Sequence, residues 1–205
     1  MKKIVFVDIS MKEKVEAVSY ENTGNACCTY KEPVVYPINA VLSEKIKKNE
    51  EIKIVLIQTK GNKSLVEKNT KIFQTEFEAV NAAIGAKIEY SFIETNYEEL
   101  KSNNENRLKL MLSQIEENSE LYADITFGPR TVPMIVLCAF SFAEKFYNSD
   151  IKKIIYGKVD WKDGKPKNPE LYDVTSLYYL NSFTYSLTSA SRQKALKSLE
   201  TFFSL

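Results

Sequence analysis

No histidine occurs in the 205 residues of this chain. That absence removes Ser-His-Asp and Cys-His catalysis and the commonest zinc ligand sets together. Any chemistry must come from Lys, Arg, hydroxyls, carboxylates or the substrate itself. Cysteine is scarce, with three residues: Cys27, Cys28 and Cys138. An odd count with two adjacent residues builds no disulfide framework, which fits a reducing cytoplasm. Cys27-Cys28 reads as two small loop residues, with a redox pair as the alternative. Neither G-x-G-x-x-G nor G-x-x-x-x-G-K-[ST] occurs, so neither a glycine-fingerprint dinucleotide site nor a P-loop is expected, and no cofactor or metal is called for. No run of about 18 or more apolar residues is present, so no transmembrane helix is expected. The opening "MKKIVFVDIS" is basic and then apolar, but Asp8 interrupts it and no small-residue cleavage site follows; it reads as a first strand and not as a signal peptide. An excess of charge is also missing. Twenty-eight basic and 27 acidic residues leave a net charge of +1, which gives no global basic field for duplex DNA.

What is present suits one globular domain with a real core, since 44% of the residues are hydrophobic. Continuous β-rich apolar runs predict strands at Lys3–Ile9, Ile52–Thr59, Ala86–Thr95, Leu121–Phe127 and Ile151–Val159, with a sixth at Glu170–Thr175. Helical spacing of apolar residues fills the gaps: Pro37–Lys48, Ser64–Ile84, Tyr97–Asn118 and Thr131–Tyr147, the last apolar enough to be well buried. Strands alternating with helices imply right-handed βαβ units and an α/β, Rossmann-like fold: a mostly parallel twisted sheet flanked by helices. "DWKDGKPKNPELYD" should reverse the chain and place an antiparallel hairpin, Ile154–Val159 with Leu171–Val174, at one sheet edge. The single domain then spans 1–205, with a long loop at 10–36 and a C-terminal helix at about 188–205. Asn22, Thr23, Gly24 and Asn25 are turn signals inside that loop, and connections this long are often lids or binding loops.

In open α/β sheets ligands bind beyond the carboxyl ends of the strands. The first strand ends in Asp8, Ile9, Ser10, Met11 and Lys12. The second ends in Gln58, Thr59, Lys60, Gly61 and Asn62. The fourth ends in Thr126, Phe127, Gly128, Pro129, Arg130 and Thr131. Small hydroxyls, glycines and single cations suit phosphate and ribose. Thr131 is placed to cap the next helix, and Pro133 fits its first turn. Free N–H groups around Gly128, Arg130 and Thr131 then form an anion site, with the Arg130 guanidinium as a planar fork. The plain alternative is a strand-to-helix turn with Arg130 in solvent. Asp124 reads first as a carboxylate tying this turn together. Lys12 and Lys60, taken singly, read as solvated, and Phe6, Phe92, Phe140 and Phe142 read as core.

"DITFGPRTVP", Asp124 to Pro133, resembles the D-x-T-H-G-F-R-x-x-P signature of one branch of the CARF proteins, the CRISPR-associated Rossmann-fold domains. Asp124, Thr126, Gly128, Arg130 and Pro133 match. Phe127 replaces the family's His and Pro129 its Phe. Tyr156, Gly157, Asp173 and Thr175 match a downstream Y-G stretch followed by D-L-T. The resemblance implies a cytoplasmic homodimer that binds a cyclic oligoadenylate, above all cyclic tetra-adenylate, as a sensor in type III CRISPR antiviral defence. A ring with two-fold symmetry suits a two-fold dimer that presents the same strand ends twice. Adenines would lie against Met11, Tyr20 or Tyr30 of the long loop. Whether the chain is a lone sensor, a metal-independent ring nuclease, or the sensor of a longer effector stays open. For a nuclease, Ser10 and Lys12 are the candidate catalytic residues. A transcription regulator or interaction subunit, and an unrelated nucleotide enzyme of Rossmann type, are the remaining alternatives.

Overall fold

The computed structural model describes residues 1–23, 26, 28–187 and 191–203. Gly24, Asn25, Cys27 and the two ends of the expected C-terminal helix lie outside them. The chain divides into two compact units, Met1–Thr175 and Ser176–Leu205. The first carries, in chain order, β1 (Lys3–Asp8), β2 (Glu21–Thr23), α1 (Pro37–Lys45), β3 (Glu51–Thr59), α2 (Lys63–Ala82), β4 (Lys87–Thr95), α3 (Lys101–Leu112), β5 (Glu120–Asp124), α4 (Val132–Phe146), β6 (Asp150–Lys162) and β7 (Lys165–Asp173). Then come α5 (Thr175–Ser186) and α6 (Arg192–Phe203).

The sheet order is β2-β7-β6-β5-β1-β3-β4. β1 pairs in parallel with both β3 and β5, β3 with β4, and β5 with β6; β6 and β7 are antiparallel. This is the expected Rossmann-like α/β fold. The chain moves from β1 outward through β3 to β4, then crosses back to β5 and β6 on the other side. Right-handed crossovers therefore place α1 and α2 on one face and α3 and α4 on the other. α1 packs with α2, and α3 with α4, as that topology requires. The order reverses between β1 and β5, which opens the crest at that point.

β1 is buried along its whole length, as a central parallel strand must be. Its alternate residues serve opposite faces. Phe6 meets Phe140 of α4 with ring centroids 6.1 Å apart. Val5 and Val7 join Tyr36, Phe73 and Phe77 in the core on the α1–α2 side. Each fully buried ring of that kind contributes about 1.5–3 kcal/mol.

Several expectations need correction. The hairpin is longer than its apolar pattern, because a tight Asp163-Gly164 turn with left-handed backbone joins β6 directly to β7. The strand before the crest ends at Asp124, three residues early, because Thr126 is drawn into a turn by that carboxylate. The loop 10–36 adds β2 alongside β7, in parallel, so β2 is the outermost strand on that side. α5 is an element that the sequence pattern does not announce, its aromatic-rich "TSLYYLNSFTYS" having no clean helical period. α4 is buried on one face only: Met134, Cys138, Phe142 and Phe146 are exposed. Phe92, on the outer strand β4, is exposed as well, whereas Phe6 and Phe140 are core. No helix among the described residues is long and apolar enough to cross a membrane.

Candidate functional site at the sheet crest

The loop after β1 is pinned from beneath. Ser10 is buried, and its N–H donates to the Tyr36 hydroxyl at 3.3 Å. Tyr36 donates in turn to the backbone carbonyl of Asn69 in α2. The Asn69 side-chain amide donates to the carbonyls of Ser10 at 2.7 Å and Lys12 at 3.1 Å. The Ser10 hydroxyl accepts from the Lys12 N–H at 3.2 Å. These bonds fix the backbone and leave the Lys12 side chain exposed.

The turn after β5 is built by the D-x-T pattern. Asp124 accepts from the Thr126 N–H at 2.9 Å and, through its other oxygen, from the N–H of Ile38 in the first turn of α1 at 3.2 Å. It is a tying carboxylate, as its place in the sequence implies. The Thr126 hydroxyl accepts from the Gly157 N–H of β6 at 2.8 Å. The second D-x-T repeats the device: Asp173 accepts from the Thr175 N–H at 3.0 Å, and the Thr175 hydroxyl accepts from the Ile154 N–H of the same strand at 2.8 Å. Two motif elements thus grip β6 three residues apart. Gly157 has no room for a side chain, since a Cβ there would meet Pro37 at 2.8 Å and Tyr20 at 3.0 Å. Phe127, where the motif has His, packs edge-on against Tyr36 at 5.3 Å.

Two buried carboxyls stand at the switch point. Asp8 is only 2% exposed, and neither of its oxygens has a hydrogen-bond partner. Burial pushes its pKa up to about 7; the Arg107 charge pulls it down and Asp124 pushes it further up. Burial likewise raises Asp124 to about 6, against the hydrogen bonds from Thr126 and Ile38. Arg107 of α3 is completely buried. It donates to the Asn96 carbonyl at 3.0 Å and the Thr95 hydroxyl at 3.3 Å, while Nε and Nη1 have no hydrogen-bond partner. The apolar spacing of this segment pointed to Leu100, Leu108, Met111, Leu112 and Ile115; Met111 and Ile115 are buried, but Leu100 is exposed, and Arg107 takes an inward position of the helix. A guanidinium is used there because the end of β4 presents polar groups to be satisfied.

Ser10, Met11, Lys12, Thr126, Phe127, Gly128 and Pro129 line one cavity of about 330 Å³, together with Tyr97 from the β4–α3 loop. The ends of β1 and β5 therefore meet. Thr59, Lys60 and Gly61 line a neighbouring cavity of about 310 Å³. Met11 joins the two, for a Cβ on Gly61 would lie 3.4 Å from its terminal methyl. Arg130 is exposed and belongs to neither cavity. Thr131 departs from the expected cap. Its backbone is already helical, with φ −79° and ψ −15°, so its hydroxyl cannot turn back to the helix. That hydroxyl bonds the Asn104 side chain, and its N–H donates to the Glu99 carboxylate at 2.8 Å. The N-terminus of α4 is thus held by an anion of the chain itself.

Asn69, Tyr97, Glu99 and Arg107 are site residues that sequence reasoning did not select, and Asp8 was named only as the end of the first strand. Only Asp8 carried a signal, as the lone charge closing an apolar strand. Among the described residues no group of three or more His, Cys, Asp or Glu side chains is arranged to hold a metal ion. The crest offers two exposed lysines, backbone dipoles and a buried carboxyl that titrates near neutrality, a set suited to an anionic ligand with hydroxyl groups. Compared with protein-family models and with curated proteins, the chain matches none.

Proposed function

We propose that this chain binds a cyclic oligoadenylate, cyclic tetra-adenylate first among them, across a homodimer, as a sensor in antiviral defence. The observation that carries the reading is the meeting of the β1 and β5 ends in one cavity at the point where the strand order reverses. The resemblance to CARF domains supplies the ligand. Lys12 and Lys60 stand exposed at the two adjoining strand ends, where the phosphates of a ring would lie. A two-fold pair would present the crest twice to a symmetric ring. The test is a calorimetric panel: cyclic tri-, tetra- and hexa-adenylate against NAD, ATP and S-adenosylmethionine. One ring binding at micromolar concentration or tighter, with one ring per two chains, is the expected result. Binding of a mononucleotide or dinucleotide cofactor alone replaces this reading with that of a nucleotide enzyme.

A second reading, cleavage of the ring, is favoured by the exposed Lys12 beside the fixed Ser10 turn. A ribose 2′-oxygen would bond its adjacent phosphorus as the bond from phosphorus to the 5′-oxygen breaks. The 2′-hydroxyl proton passes to solvent and the 5′-oxygen takes one up. Lys12 would stabilise the charge that develops on the phosphate. Labelled ring incubated with protein and EDTA yields linear products if this holds, and stays intact for a pure sensor.

A further inference from the structure

A smaller cavity of about 160 Å³ adjoins the crest cavity and shares Lys12, Thr126 and Phe127 with it. Its far wall is β6, through Tyr156, Gly157 and Trp161. Tyr156, whose ring stacks with Tyr172 at 6.3 Å, is 39% exposed and Trp161 48% exposed, so both rings offer accessible aromatic surface. Three lysines enter from two places, Lys12 and Lys14 from the loop after β1 and Lys158 from β6, beside one carboxylate, Glu16. Lys158 is already engaged by Glu170 at 3.0 Å and Asp160 at 3.8 Å. No ion pair to Lys12 or Lys14 occurs among the described residues. Pockets that enclose a drug-sized ligand measure roughly 300–1,000 Å³. This one has room for a single flat ring, with a connection toward the crest along Lys12.

We propose that this cavity is a nucleobase subsite, in which one purine of a bound nucleotide stacks against Tyr156 or Trp161 while its phosphate lies on the Lys12 side, toward the crest. Aromatic faces accept any base by stacking, and an adjacent flexible cation holds the phosphate without demanding a geometry. Tyr20, one of the three base-wall residues expected from the sequence, is buried here and lines the cavity. Met11 belongs to the crest cavity, and Tyr30 packs against the core. The choice of an adenylate as ligand rests on the ring-binding reading; the base subsite itself rests on these walls.

Trp161 is the only tryptophan of the chain beside 12 tyrosines, so emission excited selectively at tryptophan, beyond the tyrosine absorption band, reports on this cavity. The probes are adenosine 5′-monophosphate, ribose 5-phosphate and cyclic tetra-adenylate, titrated into the whole chain. The monophosphate should quench Trp161 saturably, and ribose 5-phosphate should not. Trp161→Ala and Tyr156→Ala, followed by calorimetry, should weaken binding of the monophosphate; the ring on which the base stacks accounts for about 5- to 150-fold. Trp161→Phe, which keeps a ring, should stay within about three-fold of wild type and guards against a folding defect. Ring binding with unmoved Trp161 emission and unchanged affinity in both alanine variants overturns the subsite and leaves ring binding standing. Quenching by the monophosphate with no binding of any cyclic oligoadenylate keeps the subsite and removes the ring. No binding of the monophosphate or of cyclic tetra-adenylate removes both.

Discussion

A Cβ placed on Gly128 would lie 2.5 Å from both Cγ and Oδ2 of Asp8. The turn after β5 therefore rests directly on the carboxyl that ends β1, and the backbone at Gly128 is left-handed, with φ +94°. Both facts demand glycine. Gly128→Ala should cost about 1–2 kcal/mol for the left-handed backbone and about 1–3 kcal/mol more for overpacking. Urea unfolding measures the sum. The same substitution in an Asp8→Ala background should recover the overpacking part. Full additivity of the two changes would show that Gly128 and Asp8 do not bear on each other.

Asp8 also predicts how stability depends on pH. Its folded pKa is raised to about 7, from an ordinary value of 3.8. Between those values the folded protein holds the proton more tightly than the unfolded chain. Stability is therefore greatest at the acid end of that window and falls as pH rises toward 7. Asp124, raised to about 6, acts in the same direction, and Glu76, raised by burial, adds to it. The carboxylates held low, such as Glu50 beside Lys3 and Glu89 beside Lys2, act oppositely, with the loss falling below about pH 4.5. Unfolding free energy should fall by up to about 1.4 kcal/mol per pH unit for each linked proton between pH 5 and 7. Asp8→Asn should flatten the curve and be more stable than wild type at pH 8. A wild-type curve that rises from pH 5 to 8 would refute a buried, unpaired Asp8.

The sheet was legible because its central strands are buried on both faces, and a continuous apolar run as short as Lys3–Asp8 fits the middle of a parallel sheet better than any helix. The ends of β1 and β5 were both legible as ligand positions, because a parallel sheet gathers its carboxyl ends on one crest; the order that makes these two strands neighbours comes from the structure. What escaped depends on contacts between distant residues. Nothing local marks Asn69 as the clamp on Ser10 and Lys12, since it is one polar residue in an amphipathic helix. Arg107 reads as a surface charge among "NNENRLKL" until the polar end of β4 is set against it. Thr131 failed as a cap because its own backbone is already helical, with φ −79° and ψ −15°, and its N–H is taken by Glu99, from a loop 32 positions away.

The paired D-x-T turns give a stability test. Thr126→Val removes the acceptor for the Gly157 N–H, and Thr175→Val the acceptor for the Ile154 N–H. Each substitution keeps side-chain shape and leaves a β6 donor unmatched, which costs about 1–3 kcal/mol. Thermal and urea unfolding should show comparable losses for the two. A loss confined to Thr126, with stability unchanged in Thr175→Val, would mean that the second turn does not clamp the strand.

Glu99 should act as a competitor for anions at the crest. Its carboxylate holds the Thr131 N–H at the start of α4, and an incoming phosphate would have to displace it. Glu99→Gln removes the charge and keeps the length. Repulsion of that kind near a helix end is worth about 0.3–1 kcal/mol, so ring affinity should improve about two- to five-fold. The effect should shrink as salt rises, because the site is exposed. Weaker binding in Glu99→Gln would instead make Glu99 a support for the bound state.

The last prediction concerns the outer face of α4. Met134, Cys138, Phe142 and Phe146 recur at every fourth residue and are all exposed, with Met134 at 69% and Phe146 at 58%. Phe142 and Phe146 lie 4.6 Å apart, ring to ring, so the stripe is continuous. A helix this apolar on its outward side needs a cover, and the helix begins right after the crest turn. A second copy related by a two-fold axis would cover it with its own α4 and bring both crests to the same side. Each phenyl ring buried in that way is worth about 1.5–3 kcal/mol. Light scattering should find a dimer for wild type without ligand. Phe142→Glu should give a monomer with unchanged circular dichroism, because the substituted face is already in solvent within one chain. The monomer should lose ring affinity if two crests hold one ring. A monomeric Phe142→Glu chain that binds the ring as tightly as wild type would place the whole ligand on a single crest. A wild type that stays monomeric with ring present would remove the shared site altogether.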